Sequence, residues 1–331
     1  MSVEILEKYF GIKPDRIIQL NGTDRFLAGD VLYTIVPVTY MEQKVLMELY
    51  EMSEHMAKFR DRKVSRFTPA KNGKFLVTHE NQDYILLRNE YRPPSMRTQR
   101  TGRKLARFHE RGKRLQAEID ALNRVGQWKS LWSMRLDQME QAWRAFIQEP
   151  PREEFDRLFF ESFPYFMGLA ENAIQYVTDT ELDERPSYWD QAAICHERFF
   201  NGLWAGEQEI RNPFDWVYDH PSRDIAEWIR NQYFKSRRAV RPELQSFLYE
   251  YESIAPISPF GWRLVYARLL FPLHYFVTVE DYYQGNEQPR QKRLEEEMKR
   301  HLRDTSDYEQ FLRSFYGLAD VNQKLPVLEW L

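Results

Sequence analysis

Residues 194–229 read ICHERFFNGLWAGEQEIRNPFDWVYDHPSRDIAEWI, and the interpretation of the whole chain starts from this stretch. It begins with a short apolar run typical of a buried strand and continues into a polar loop that opens at His196. Ala205-Gly206 predicts a hairpin turn, after which Phe214-Asp215-Trp216 places one carboxylate between two aromatic residues. A helix is expected to begin near Asp224. The predicted order is therefore strand, polar loop, hairpin, carboxylate and helix.

This order is that of a phosphotransfer site of the kinase kind, in which a loop holds the proton acceptor and a later carboxylate binds magnesium. The stretch resembles the catalytic core of the aminoglycoside/choline-kinase-like superfamily, whose usual form is H-G-D-x-x-x-x-N, a hairpin, I-D-[FW]-E and then D-[LI]-A. His196 matches the family histidine, Asp215 the metal-binding aspartate, and Asp224-Ile225-Ala226 the last element. A short deletion in the loop would bring Asn201 into register with the metal-binding asparagine. The resemblance thus implies magnesium at Asn201 and Asp215, if a nucleotide binds.

The position of the catalytic aspartate, two residues after His196, is occupied by Arg198. A guanidinium stays protonated at any working pH and accepts no proton. Glu197 is the adjacent carboxylate, but successive side chains point in opposite directions on an extended chain. We therefore expect a degenerate catalytic loop at His196, Glu197 and Arg198, with no residue assigned a catalytic role. A rearranged site that uses Glu197 as the base is the alternative.

The first ninety residues have the pattern of a small mixed lobe, in which runs of β-branched and aromatic residues are separated by turn dipeptides such as Asn21-Gly22. One amphipathic helix is predicted over residues 44–58, and Pro93-Pro94 marks the expected hinge. Strands are predicted at residues 16–20, 25–28, 31–38, 75–79 and 84–88.

Kinase-like folds carry a lysine on the third strand that pairs with the nucleotide phosphates. The third predicted strand, residues 31–38, contains no lysine. Glu48 and Glu51 lie where the helix would supply the partner of that lysine, and without it we expect them on a solvated helix face. No cofactor is therefore expected, and Mg-ATP belongs only to the alternative with a rearranged site.

From residue 91 onward the pattern is almost wholly helical. Residues 102–109, GRKLARFH, resemble the L-G-x-x-L-A-x-[FL]-H helix of the same superfamily, and one helix is predicted over residues 101–121. The acidic residues 178–186 are expected to end a long helix. The fold class is thus α+β, a two-lobed protein-kinase-like fold. Residues 1–90 form a small antiparallel β-rich lobe, and residues 91–331 form a large helical lobe.

Two further segments have open roles. From residue 97 to residue 114 there are eight basic residues and one acid, Glu110. A solvated helix face is expected there, and a cationic docking surface is the alternative. The apolar tail, residues 325–331, is expected to dock either on its own domain or on a partner.

Composition excludes several classes of function. The net charge of −3 provides no general attraction to nucleic acid, and no recognition motif for nucleic acid is present. A single cysteine, Cys195, cannot form an intrachain disulfide, which suits a reducing cytoplasm. No apolar stretch approaches the length of a membrane span. Zinc-ligand spacing, a Walker motif and a G-x-S-x-G elbow are all absent from the sequence.

The sequence of residues 194–204 and 213–230 is similar to that of the CotS-like spore coat proteins of endospore-forming bacteria, in their YutH-type branch. This resemblance implies synthesis in the mother-cell cytoplasm, deposition in the spore coat and contacts with other coat proteins. We therefore expect a structural or assembly protein on a pseudokinase scaffold. Whether the chain is an enzyme stays open, and the alternative is a small-molecule phosphotransferase with a rearranged Mg-ATP site.

Overall fold

The computed structural model describes residues 2–20, 22–91, 100–149, 151, 153–200, 202–204, 208–236, 240–285 and 287–330. They form two compact units. The first comprises Met1–Asn123, Ala192–Asp224 and Glu250–Ala255, and the second comprises Arg124–Gln191, Ile225–Tyr249 and Pro256–Leu331. Each unit combines distant parts of the sequence, so this division does not test the lobe boundary predicted at residue 90. The predicted hinge at Pro93-Pro94 lies outside the described residues.

A six-stranded antiparallel sheet forms the N-terminal part of the first unit. Its strands are β1 (Arg16–Leu20), β2 (Thr23–Ala28), β3 (Val31–Pro37), β4 (Arg66–Thr68), β5 (Leu76–His79) and β6 (Gln82–Glu90). The central strand β6 pairs with β3 along one edge and with both β4 and β5 along the other. β2 pairs with β3, and β1 with β2. The predicted antiparallel, β-rich N-terminal region is confirmed, although β4 was not predicted.

The two faces of this sheet pack against different parts of the first unit. On one face, Phe26 of β2 packs against Leu6, the first residue of the short π-helix Leu6–Phe10. On the other face, Leu27 and Leu32 pack against Ile210. Because strand side chains alternate between faces, neighbouring residues of β2 serve opposite sides of the sheet. Both faces are buried, so a slip of one residue would be costly and the register is well defined.

The helices of the first unit are α1 (Ser2–Ile5), α2 (Gln43–Lys58) and α3 (Thr101–Gly112). The prediction for residues 101–121 was wrong beyond Gly112. The backbone N–H groups of Asp120, Ala121 and Leu122 do not continue the helix, because they donate to the carboxylate of Glu48 at 3.0, 2.9 and 2.9 Å.

Glu48 therefore has a structural role that its sequence context did not reveal. It is buried within α2, so the expectation of a solvated position was wrong for this residue. Glu51, less than one turn later, is exposed as expected. The carboxylate of Glu48 satisfies three donors of a loop that has no regular structure of its own, and it fixes that loop against α2.

The basic run agrees with its prediction only in part: Arg107 and Arg114 are exposed, whereas three other cations are ion-paired. Its first three residues lie outside the described part of the chain. Lys104 donates to Glu209 at 2.8 Å, and Arg111 donates to Asp61 at 2.8 Å. Lys113 has a side chain that is only 5% exposed and forms an ion pair with Glu110. These three cations take part in internal ion pairs, so neither a solvated face nor a docking surface describes them.

The second unit is helical. Its elements, two of which begin or end in the first unit, are α4 (Trp128–Gln148), α5 (Glu154–Asp183), α6 (Ser222–Lys235), α7 (Val240–Glu252), α8 (Pro259–Leu270), α9 (Leu273–Gln284), α10 (Gln288–Arg303) and α11 (Thr305–Leu318). Phe166 and Tyr275 stack with ring centroids 3.8 Å apart in its aromatic core. None of the helices in the described ranges has the length and apolar character that a membrane crossing requires.

The long helix ends within the acidic segment 178–186 as predicted, but not at its start, because α5 continues to Asp183. The acidic side chains are paired: Glu181 with Lys129, and Asp183 with Arg263. Their charges therefore do not oppose one another along the helix. The hydroxyl of Thr180 bonds back to the carbonyl of Tyr176 at 2.7 Å, which satisfies this buried polar group inside the helix.

The apolar tail docks on its own unit over residues 325–330. The hydroxyl of Tyr176 donates to the carbonyl of Pro326 at 2.6 Å, and the backbone N–H of Leu328 donates to the hydroxyl of Tyr266 at 3.4 Å. The sequence left open whether the tail docks on its own domain or on a partner. In the structure it docks on its own domain.

The loop that Glu48 holds provides a test of this fold. We expect Glu48→Gln to destabilise the protein by about 1–3 kcal/mol, because an amide group replaces one acceptor oxygen with a donor that faces other donors. Glu51→Gln is the matched control and should stay within about 0.5 kcal/mol of wild type. Urea unfolding at neutral pH measures both changes. Equal stability of the two variants would contradict the structural role of Glu48.

Candidate functional site

A two-stranded antiparallel sheet carries the predicted site. Its strands are β7 (Ala193–His196) and β8 (Trp216–Asp219), and His196 pairs with Trp216 at its open end. Gly112 at the end of α3 lies directly against β7, since a β-carbon on this glycine would come within 2.5 Å of the backbone nitrogen of Ile194. The predicted strand before the loop and the second strand after it are both present. Ala205-Gly206 and Asn201 lie outside the described residues.

Asp224, near the start of α6, holds the beginning of the loop. Its Oδ1 accepts the backbone N–H of His196 at 2.9 Å, and its Oδ2 accepts the ring Nδ1–H of His196 at 2.7 Å. The same Oδ2 accepts Nε2–H of His109 at 3.0 Å. The Nδ1 atom of His109 in turn accepts the hydroxyl of Tyr251 at 2.8 Å. We assign these tautomers from the partners, because an ionised carboxylate can only accept.

The electrostatics of this network follow from its burial. Burial by itself raises the pKa of Asp224, but the charge of His196 and the hydrogen bonds from both histidines outweigh it, so the pKa is lowered. Burial also lowers the pKa of His109, and the hydrogen bond to Asp224 opposes that shift only in part. At neutral pH the centre of the network is therefore an ionised Asp224 beside a neutral His109.

Cys195 lies beside this network. Ligand atoms of His109, Cys195 and Asp224 lie within 4.8 Å of one another, the only such group found in the described ranges. The atoms already have protein partners, however: His109 bonds Asp224, and Sγ of Cys195 donates to the carbonyl of Asp219 at 3.4 Å. The arrangement is that of a buried hydrogen-bond network.

The residues of the predicted degenerate loop lie in different environments. His196 is buried, and its ring stacks on Phe108 with centroids 4.9 Å apart. Glu197 is 61% exposed at its side chain and accepts a hydrogen bond from Arg223 at 3.1 Å. Arg198 is exposed. The position of the proton acceptor thus holds a cation, and the adjacent carboxylate is ion-paired rather than free to act as a base.

Asp215 lies at the end of a short 3₁₀ turn, Pro213–Asp215, and is partly buried. Its carbonyl accepts the backbone N–H of Glu197 at 2.7 Å, which brings the second carboxylate position next to the loop. Burial raises the pKa of Asp215, and the nearby charges of His196 and Arg25 oppose this shift. Asp215 is thus in the place expected of a metal-binding carboxylate, but whether it binds a metal stays a prediction.

Sequence reasoning missed Arg25. This residue lies on β2, is only 9% exposed, and donates from Nη1 to the hydroxyl of Thr34 on β3 at 2.9 Å. Kinase-like folds carry the phosphate-pairing cation on the third strand, whereas Arg25 lies on the second. An arginine two residues before Leu27 on the same strand face was the signal available in the sequence, because alternation places both side chains on one side.

An ion cluster fixes the segment that leads to Asp215. Glu209 accepts hydrogen bonds from Lys63 and Lys104, and Arg211 forms ion pairs with Asp61 and Glu209. The backbone of Arg211 also exchanges hydrogen bonds with the segment after Asp61: its N–H donates to the carbonyl of Lys63 at 2.9 Å. Burial raises the pKa of Glu209, but Arg211 and the two lysines outweigh it and lower the pKa to about 2.

With the geometry in place, comparison with known proteins identifies the family. The family model described as "Spore coat putative kinase YutH" matches residues 3–315. The chain belongs to this family. It is also 43% identical, over 332 residues, to the endospore coat-associated protein YutH of Bacillus subtilis (strain 168), an alignment that covers 99% of this chain and 97% of that protein.

Solved structures similar to this chain are kinases of the aminoglycoside phosphotransferase type. One is an aminoglycoside phosphotransferase from Alicyclobacillus acidocaldarius subsp. acidocaldarius DSM 446, with a TM-score of 0.64, 13% identity and 93% of each chain covered. Another is a microcompartment-associated aminopropanol kinase, with a TM-score of 0.61, 11% identity and coverage of 94% of this chain and 97% of that one. At such identities the likeness shows the fold alone, and it confirms the predicted kinase-like fold class.

The ion cluster predicts an acid-dependent stability. The pKa of Glu209 is lower in the folded state than its ordinary 4.5, so its contribution is fully present above about pH 4.5 and is lost as the pH falls toward 2. We expect wild type to lose roughly 2 kcal/mol between pH 6 and pH 3 that Glu209→Gln does not lose. Urea unfolding across this range measures the difference.

Glu54→Gln is the control for this prediction, because Glu54 pairs with Arg66 at a more exposed position and contributes little. Its acid dependence should follow that of wild type. Parallel acid dependence of wild type and Glu209→Gln would show that Glu209 is not held as described.

Proposed function

We propose that this protein is a structural or assembly component of the spore coat, built on a kinase-like scaffold that transfers no phosphate. The observation that carries the proposal is Arg198, an exposed cation in the position where the superfamily has its proton acceptor. Membership of the spore coat family supports the coat context. In this proposal the chain is made in the mother-cell cytoplasm, is then deposited in the coat, and acts through contacts with other coat proteins.

The expected size of the catalytic defect supports this reading. A positioned general base contributes about two to four orders of magnitude in rate. Glu197 offers no simple replacement, because Arg223 pairs with it and also donates to the carbonyl of His196 at 3.0 Å. A base at Glu197 would have to break this pair and change the conformation at the start of the loop. Transfer of phosphate at a useful rate is not expected from such a site.

The remaining phosphotransfer residues can be compared with what Mg-ATP needs. If the nucleotide bound, Asp215 together with Asn201 would hold magnesium, and the nucleotide would supply the phosphoryl group. Asp215 lies beside the loop as this role requires. A non-catalytic role needs no cofactor, so neither magnesium nor nucleotide is part of the proposed coat function. The alternative, a phosphotransferase with a rearranged site, requires both.

A transfer assay tests the proposal against this alternative. Wild type and Asp215→Ala are incubated with Mg-ATP and a panel of small amino alcohols and amino sugars, and ADP formation is measured. We expect the same background rate for both proteins, because the proton acceptor is missing from each. Turnover by wild type that Asp215→Ala abolishes would overturn the proposal.

An experiment in a spore-forming strain lacking its own homologue tests the coat role. Arg198→Ala and Asp215→Ala are expected to reach the coat as wild type does, measured by fractionation of purified spores. Loss of coat association in a correctly folded Asp215→Ala variant alone would indicate that the phosphotransfer residues matter for the role.

A further inference from the structure

Arg25 and Thr34 form a polar pair on the sheet face that also carries Leu27 and Leu32. In the antiparallel register, Leu27 of β2 lies opposite Leu32 of β3. Arg25, two residues before Leu27, therefore lies opposite Thr34, two residues after Leu32. The hydrogen bond of 2.9 Å between them agrees with this register. The face is the one that Ile210 covers, five residues before Asp215. A cation therefore lies beside the third strand, on the side of the segment that carries Asp215.

The guanidinium of Arg25 is not satisfied by the described protein atoms. Its Nε is buried and has no hydrogen-bond partner among them. No carboxylate in the described ranges lies within 4.0 Å of it as an ion pair, although the charge of Asp215 acts on it from a greater distance. Its one side-chain hydrogen-bond partner is the neutral hydroxyl of Thr34. A buried cation with unused donors is costly, and an anion with several acceptor oxygens would satisfy it. A planar guanidinium matches the oxygen spacing of a phosphate group.

We propose that Arg25 takes the part that a third-strand lysine has in kinases, so that the sheet face at Arg25 and Thr34 binds the phosphate groups of a polyphosphate ligand. The hydroxyl of Thr34 contributes to the same site, and Asp215 is placed to hold the accompanying divalent cation. The absence of a lysine on β3 then does not remove the phosphate site, because the cation comes from the neighbouring strand. This inference goes beyond the proposed function, since phosphate binding without transfer is compatible with a coat role.

Binding of tripolyphosphate and of ATP, each with and without Mg²⁺, tests the site by isothermal titration calorimetry. The variants are Arg25→Met, which keeps the packing and removes the charge, and Arg25→Met with Thr34→Lys, which moves the cation to β3. Arg88→Met is the matched control: Arg88 is exposed on β6 and pairs with Tyr33, so it lies on the opposite sheet face.

We expect wild type to bind both ligands in the presence of Mg²⁺ and Arg25→Met to bind them about ten- to a hundredfold more weakly. The double variant should recover most of the affinity, and Arg88→Met should equal wild type. Tighter binding of ATP than of tripolyphosphate would support the proposal and show that the protein contacts the nucleoside as well as the phosphates. No binding by wild type, or equal binding by wild type and Arg25→Met, would overturn the proposal.

A second measurement is independent of the folding of Arg25→Met. In wild type, the Nε–H resonance of Arg25, assigned by its loss in Arg25→Lys, is expected to shift when tripolyphosphate binds. Binding that leaves this resonance unmoved would place the ligand elsewhere and overturn the proposal. The transfer assay is unaffected by either result, because it measures turnover and not binding.

Discussion

The site depends on one buried carboxylate. Asp224 accepts the backbone N–H and ring of His196 and the ring of His109, so α3, β7 and the first turn of α6 have to meet at this point. An ionised carboxylate that lost these partners inside the protein would cost several kcal/mol. The start of the loop is therefore held in place by hydrogen bonds within the protein. Under the proposed function, Arg198 can therefore replace the proton acceptor without a change in the conformation at the start of the loop.

Ion pairs and hydrogen bonds within the protein also fix the segments around this carboxylate. Glu209 and Arg211 attach the segment before Asp215 to the region after α2, and Arg223 connects Glu197, the carbonyl of His196 and Asp219. Each of these contacts is made by side chains of the protein itself. These contacts support the proposed coat role, because the side chains of the site hold one another in place.

Part of this structure could be predicted from the sequence, since local patterns carry it. Runs of β-branched and aromatic residues between turn dipeptides predicted five of the six strands of the N-terminal sheet. The sixth, β4 (Arg66–Thr68), was missed because three residues are too few to form such a run. His196 and Asp224 of the motif share one hydrogen-bond network, and the carbonyl of Asp215 bonds the loop at Glu197. The length of α5 was underestimated because the partners of its acidic end, such as Arg263, lie far away in the sequence.

The features that the sequence did not predict depend on contacts between distant segments. Glu48 accepts from a loop more than seventy residues away, and nothing in its own helix distinguishes it from Glu51. Arg25 was overlooked as a candidate phosphate-binding cation because its hydrogen-bond partner, Thr34, lies on the next strand. A motif defined on one strand does not include side chains of its neighbour. Pairings of this kind are fixed by tertiary structure and become visible only when the register of the strands is known.

An ionised Asp224, hydrogen-bonded to the rings of His109 and His196, sets the conformation of the loop. Nitrogen-15 NMR of histidine-labelled protein at neutral pH tests it most directly. The account predicts a neutral His109 protonated at Nε2 and a His196 protonated at Nδ1, with both of these proton signals lost in Asp224→Asn. A His109 that carries protons on both ring nitrogens at neutral pH would contradict it. Histidine signals that do not change in Asp224→Asn would also contradict it.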